Sequence, residues 1–201
     1  MLGFYSDDFG NQQLYLTDFH NGKVDVLDAS YAPVSLAGGF VDANIPSGYA
    51  PFNIQELEGK LLVTFAKQDA AAADDDHGPG RVYVDLFDTE GNLERRLVTR
   101  GALNSPWGLA IAPDSFGALA GDLLVGNFGD GRINVYDIHA PSSKGGEKVV
   151  TKGALGGPGN KALTIDGLWA IAVSPDGNLY FTAGSNDEAN GLFGRLDPAS
   201  H

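Results

Sequence analysis

The chain has 201 residues, 43% of them hydrophobic, enough to bury a sizeable core in one or two domains. Lys and Arg number 13 against 26 Asp and Glu, a formal net charge of −13, and a surface of that sign argues against nucleic acid as a partner. Cysteine is absent, which excludes disulfides, thiolate catalysis and zinc–cysteine sites.

The N-terminal stretch MLGFYSDDFG has neither the basic nor the apolar region of a signal peptide, and no segment approaches the roughly 20 apolar residues of a membrane span. As written, the chain reads as a soluble, cytoplasmic protein. These first residues supply at most a stub of a strand. Glycine, 28 of the 201 residues, is about twice its usual share of roughly 7% and sits between β-branched and aromatic runs, which points to many tight turns.

Four hairpins then follow in chain order. QLYLTDFHNGKVDVLD covers 13–28, and KLLVTFAKQ (60–68) pairs across a long insertion with GRVYVDLFD (80–88). LLVGNFGDGRINVYD covers 123–137 and NLYFTAGSNDEANGLFGRLD covers 178–197. Each is an alternating apolar run, a polar turn, a glycine and a strand closing on Asp, the period-2 signature of half-buried strands. Three are preceded by a further strand, in APFNIQEL, SPWGLAIAP and DGLWAIAVSP, and three are followed by another, in APVSLAGG, RRLVTRG and EKVVTKG.

The repeating unit is therefore four short strands in about 50 residues, which buries its apolar faces only by packing on copies of itself. That predicts an all-β fold, a β-propeller of four four-stranded blade units near 1–48, 49–103, 104–163 and 164–201, the last lacking its outer strand. The ring is expected to be closed, partial, or completed by a homodimer. The apolar edges that an open arc would expose favour the dimer.

SPWGLAIAP, DGLWAIAVSPDGNLYFT and GNFGDGRINVYD resemble NHL-type propeller repeats. The phrases PFNIQ, GDLLVGNFGDGRINVYD and NDEANGLFG make the chain similar to the C-terminal portion of an uncharacterised group of bacterial NHL-like propellers, many of them exported. More remotely it resembles gluconolactonase- and paraoxonase-like propellers. That resemblance implies calcium-dependent hydrolysis of lactones and esters, acyl-homoserine lactones among them, with the metal at one mouth of the channel.

Blade topology places the turns between second and third strands on the same rim as the links between blades. That rim would gather Asp18 to Asn21, the insertion ending Asp74-Asp75-Asp76-His77, Asn127 to Asp130, and Asn186 to Asn190, with Asn53, Asn104 and Asp166 on the links. Carboxylates and amide carbonyls are the hard oxygen ligands that Ca²⁺ takes, which makes Asp166, Asn53, Asn127, Asn186 and Asp187 the expected metal ligands. His77, His20 and Glu188 are the expected groups for activating water. Competing structural roles are plain: Asn21-Gly22 and Asp130-Gly131 are turn formers, Asn53 and Asn127 can bond backbone, and the acidic runs can be solvated loop tips. His139 falls on the opposite rim and His201 is the last residue, so neither is a candidate. Trp107 and Trp169 occupy the same point of successive inner strands, as inter-blade packing or as an apolar channel wall. Templates for a G-x-S-x-G elbow, H-E-x-x-H or a P-loop are missing from the sequence, and GALGGPGNK has no helix after it to cradle phosphate. The expected function is calcium-dependent hydrolysis of a lactone or related ester. The alternative is a non-catalytic scaffold binding protein or glycan.

Overall fold

A computed structural model describes residues 2–6 (main chain), 12–57, 59–157, 159 and 161–198. Its strands form four antiparallel sheets, distributed over two compact units, residues 1–101 and 102–201.

In unit 1 the first sheet runs in the order β1 (Leu2–Ser6), β2 (Gln12–Asp18), β3 (Lys23–Leu27), β4 (Pro33–Val34). The opening residues are more than a stub: Leu2–Ser6 pairs residue for residue with 12–16, from Leu2 opposite Leu16 to Ser6 opposite Gln12. The alternation of LGFYS was too short to register as a strand until a partner lay beside it. The second sheet is β5 (Tyr49–Leu57), β6 (Lys60–Lys67), β7 (Val82–Phe87), β8 (Leu93–Thr99). Its central strand β6 is buried from Leu61 to Ala66, as a strand covered on both faces must be. Tyr15, Val26, Phe40, Ile54, Val63, Phe65 and Phe87 make the core of this unit.

In unit 2 one sheet is β9 (Pro106–Ile111), β10 (Leu123–Asn127), β11 (Ile133–Pro141), β12 (Glu147–Ala154). A short 3₁₀ turn over Asp114–Leu119, which the alternation pattern does not announce, fills the connection from β9 to β10 and buries Phe116. The other sheet has three strands among the described residues: β13 (Leu168–Val173), β14 (Leu179–Ser185) and β15 (Asn190–Leu196). The outer strand β15 exposes Leu192 (48%) and Phe193 (70%).

Leu124, Ile133, Val135, Leu168, Ile171 and Leu179 form the core of unit 2. The backbones of β9 and β13 approach so closely that a Cβ on Gly108 would lie 2.9 Å from Ile171 Cγ1 and 3.2 Å from the Trp169 carbonyl oxygen. Glycine at 108 is therefore a packing requirement, and it sets how near the two inner strands come. No helix among the described residues is long and apolar enough to cross a membrane.

Candidate functional site

Strand β10 is buried along all five residues and ends on Asn127, which is 0% exposed. The β9–β10 register shifts between Gly126 and Asn127, a bulge of the kind that re-aims a side chain. Asn127 Nδ2 donates to the Ala102 carbonyl (2.9 Å) and to Asp130 Oδ1 (3.0 Å), and Asp130 Oδ1 also accepts the Arg132 N–H (3.2 Å). Both amide hydrogens are thus engaged, and rotating the amide by half a turn would forfeit both bonds. With its orientation settled in this way, Asn127 Oδ1 is a buried carbonyl oxygen with no hydrogen-bond donor. Leaving such an acceptor unsatisfied costs about 1–3 kcal/mol, so it needs an explanation.

Around this atom a line of hydrogen bonds ties the turns and links of unit 2 into one rim. Phe128 N–H donates to the Ser105 carbonyl (2.9 Å) and Gly129 N–H to the Asn104 carbonyl (3.2 Å). Ile165 N–H donates to the Gly131 carbonyl (2.8 Å), and Gly184 N–H to the Gly167 carbonyl (2.8 Å). Asn186 N–H reaches the Asp166 carboxylate, Oδ2, at 2.9 Å. Four non-glycine residues here have left-handed backbone: Ser105 (φ 50), Asn186 (φ 56), Asp187 (φ 51) and Glu188 (φ 63). Each such conformation costs roughly 1–2 kcal/mol, and residues held this way concentrate at functional sites.

The structure therefore brings Asp166 and Asn186 into direct contact, with Asp187 and Glu188 exposed on the same turn, and the Ile165–Gly131 bond ties the link that carries Asp166 to the turn that follows Asn127. Beside them stand three half-buried aromatic rings. Trp107 and Trp169 meet edge to face at 5.0 Å between centroids, and Phe128 lies 4.5 Å from Trp169. Among the described residues no three His, Cys, Asp or Glu side chains converge as a metal-binding group. Any cation here would draw on amide and backbone oxygens as much as on carboxylates.

Unit 1 holds the remaining sequence candidates. Asn53, 1% exposed, follows a register shift in β5 and donates its backbone N–H to Thr64 Oγ1 (3.0 Å). His20 is exposed, with Nδ1 3.0 Å from the Ala72 carbonyl oxygen. The acidic insertion does not pool its charge. Asp74 Oδ1 accepts the Asp75 N–H (2.8 Å), Asp76 pairs with Lys67 (2.8 Å) and with Arg81, and the buried Asp75 carboxylate lies 3.0 Å from His77 Nδ1. A bridge between Gln68 and Asp75 and the bond from Asp69 N–H to the Asp74 carbonyl close the segment as a hairpin-like loop. Its three carboxylates are consumed locally, and what is left is an Asp–His pair with the ring exposed. His139 pairs with Glu147 on β12 (2.9 Å), and His201 lies outside the described residues.

Sequence reasoning missed one buried charge cluster in unit 1. Arg96 on β8 donates from Nε to Asp85 Oδ1 (3.0 Å), pairs with Asp42, and lies over the Tyr83 ring at 4.6 Å. Burial pushes the Asp85 carboxyl up to about 7 despite Arg96, and the Asp42 carboxylate adds to the rise. Burial also raises Asp42, but hydrogen bonds from Asn44 and the Arg96 charge outweigh it and hold that carboxyl below its ordinary range. An alternating run with one Asp in it gives no signal for such a contact.

No protein-family model matches the chain. It is similar to uncharacterised proteins of Acanthamoeba polyphaga mimivirus, one 35% identical over 196 residues and another 34% identical over 190 residues. Those alignments take in 92% and 91% of this chain but 49% and 45% of the relatives, so the chain spans about half the length of the curated relatives it matches. These relatives are viral, where the sequence resemblance pointed to a bacterial group. Among solved structures the chain is similar to a glucose dehydrogenase (16% identity, TM-score 0.60, 99% of this chain and 64% of that one). It is also similar to a gluconolactonase from Xanthomonas campestris (16% identity, TM-score 0.57, 98% and 62%). Likeness at that identity establishes a shared propeller-type, all-β fold.

Proposed function

We propose that the rim of unit 2 is a calcium-assisted site for hydrolysis of lactones or related esters, with Asn127 and Asp166 as its principal cation ligands and Asn186 and Asp187 completing the oxygen set. The observation that carries this reading is Asn127 Oδ1, a buried, oriented carbonyl oxygen that no protein donor satisfies. The donor chemistry fits Ca²⁺, which takes amide carbonyls, carboxylates, backbone oxygens and water. With few carboxylates in reach, the affinity belongs to the weak class, roughly 10⁻⁴–10⁻³ M. The fold likeness to a gluconolactonase supports the direction and carries no residue roles.

Bound Ca²⁺ would supply Lewis-acid polarisation of the ester carbonyl. The chain's residues do the rest. Asn127 and Asp166 orient the ligand-binding oxygens, and the Asn186 N–H holds the Asp166 carboxylate in place. Trp107, Phe128 and Trp169 present an apolar wall that limits water. Glu188, on its left-handed turn, offers an exposed carboxylate to take a proton from the attacking water. In unit 1, the Asp75 carboxylate lies 3.0 Å from His77 Nδ1 and orients that ring. Acyl-homoserine lactones are the first substrates to try.

The test is lactone hydrolysis by the purified protein before and after chelation. Turnover should vanish with EDTA, return with added Ca²⁺, and drop at least about 100-fold in Asn127→Ala and Asp166→Ala, in line with the usual cost of losing one transition-state-stabilising group. Turnover indifferent to chelation, or to both substitutions, would sink the reading. Saturable glycan binding without turnover would point to the scaffold alternative, for which the half-exposed aromatic trio is the favourable feature.

A further inference from the structure

We infer that Asp130 is a positioning residue of this cation site, acting through Asn127 without touching the ligand itself. The inference rests on the reading of Asn127 as a ligand, and it concerns what keeps that ligand facing the right way. An Asn side chain presents either a carbonyl oxygen or an NH₂ group to a buried space, and only the first attracts a cation. At Asn127 the choice is made by two acceptors, the Ala102 carbonyl and the Asp130 carboxylate, at 2.9 and 3.0 Å from Nδ2. The backbone acceptor is given by the fold. The carboxylate is the part chosen by the side chain, and its charge makes it the stronger of the two bonds.

The turn is built to keep Asp130 there. Its Oδ1 is held by the Arg132 N–H (3.2 Å), and Gly131 N–H donates to the Asn127 carbonyl (3.0 Å), closing the loop around the pair. Gly131, at φ +67, sits where a Cβ would come 2.2 Å from the Ile165 carbonyl oxygen, so the turn is pressed against the link that carries Asp166. The matching turn of unit 1, TDFHNGK against GNFGDGR, has the same two side chains in reverse order. There Asp18 ends the strand and Asn21 follows, and both Asp18 oxygens are engaged by Asn21, its N–H at 3.1 Å and its Nδ2 at 2.7 Å. Turn formation alone is served by either order. Only the order Asn127 then Asp130 leaves a carbonyl oxygen turned inward and unoccupied by a donor.

The experiment uses Tb³⁺ as the probe, with Ca²⁺ as competitor. The chain has two tryptophans, Trp107 and Trp169, both in the trio with Phe128, so Tb³⁺ emission sensitised through tryptophan alone, excited where the seven tyrosines do not absorb, reports on unit 2. The wild type should give a saturable, Ca²⁺-displaceable signal that Asn127→Ala removes. Asp130→Ala should weaken binding about 10- to 100-fold, the usual range for an outer-shell partner, while Asp130→Asn, which keeps an acceptor oxygen, stays within a few-fold of wild type. A second readout needs no cation: the side-chain amide hydrogens of Asn127 should exchange slowly in wild type and Asp130→Asn and rapidly in Asp130→Ala. Absence of Tb³⁺ binding in wild type, or undiminished binding in Asn127→Ala, overturns the calcium reading and this inference with it. Loss in Asn127→Ala with undiminished binding in Asp130→Ala overturns the positioning role alone. Rapid exchange of the Asn127 amide in the wild type does the same, whether or not the Ala variant folds.

Discussion

The turn after β2 in unit 1 and the turn after β10 in unit 2 share a length, an aromatic residue in second place and a closing glycine, yet they treat their polar atoms differently. In the first, Asp18 and Asn21 satisfy each other at the surface, and the Asn21 hydrogen bonds hold the Asp18 carboxyl below its ordinary range. In the second, Asn127 is wholly buried and spends both donors, which leaves an oxygen over. A repeat unit thus preserves the shape of a turn while burial and the order of one Asn–Asp pair decide whether it also keeps a buried oxygen open. Unit 1 places its own buried polar groups elsewhere, around Arg96, where opposite charges meet directly. The cluster still leaves Asp85 Oδ2 without a hydrogen-bond partner, a carboxylate oxygen beside a cation where unit 2 leaves an amide carbonyl.

Substitutions at these places sharpen or break that contrast. The largest effect is expected from Arg96→Ala, which would leave Asp42 and Asp85 buried without their cation. Chemical denaturation should show a loss of about 3–5 kcal/mol, and a loss under 1 kcal/mol would mean the cluster is solvated. Next comes pH. Asp85 has its pKa raised to about 7, so between about pH 4 and 7 the folded state binds more protons than the unfolded state. Stability should therefore fall as pH rises through that window and level off above it, by at most about 4 kcal/mol. Asp42, with its pKa lowered, acts in the opposite sense and only at more acid pH, where stability is lost as pH falls. Asp85→Asn should flatten the neutral limb; an unchanged slope would assign it to another group.

Glycine supplies the third comparison. Gly131 and Gly22 both have φ +67, but a Cβ meets the Ile165 carbonyl oxygen at 2.2 Å in one and nothing within 4 Å in the other. Gly131→Ala should cost roughly 2–4 kcal/mol by adding overpacking to the backbone penalty, and Gly22→Ala only about 1 kcal/mol. Equal losses in urea titration would show that the Ile165 link yields without cost. The smallest effect is expected from exchanging the exposed pair, Asp18→Asn with Asn21→Asp. It should shift stability by no more than about 0.5 kcal/mol and create no Tb³⁺ site, because the oxygen it frees faces water.

Much of this was readable from the residues, for particular reasons. The alternation of QLYLTD or LLVGN, closed by a glycine turn, is a local property, and such hairpins can be recognised one at a time. β1 could not, because five residues of LGFYS become a strand only once β2 supplies hydrogen-bond partners. Asn127, Asp166 and Asn186 were expected on one rim from topology; the structure sets the Asn186 N–H on the Asp166 carboxylate and the Ile165 N–H on the Gly131 carbonyl. The acidic insertion looked like pooled charge in one dimension. In three, Lys67 at the end of β6 and Arg81 just before β7 take up Asp76. Asp130 read as a turn former, which it also is.

What the sequence determined by itself is the repeat: period-2 burial, turn glycines and a unit too small to bury its own faces, all of which follow from bonded neighbours and the pleat. The tertiary structure alone decided which polar atoms are satisfied. Whether Asn127 keeps an open oxygen depends on Ala102, 25 residues away, and on the burial of β10, and Arg96 finds Asp42 across 54 residues. Hydrogen-bond satisfaction is settled by the full set of donors and acceptors in reach, and that set exists only once the sheets are packed.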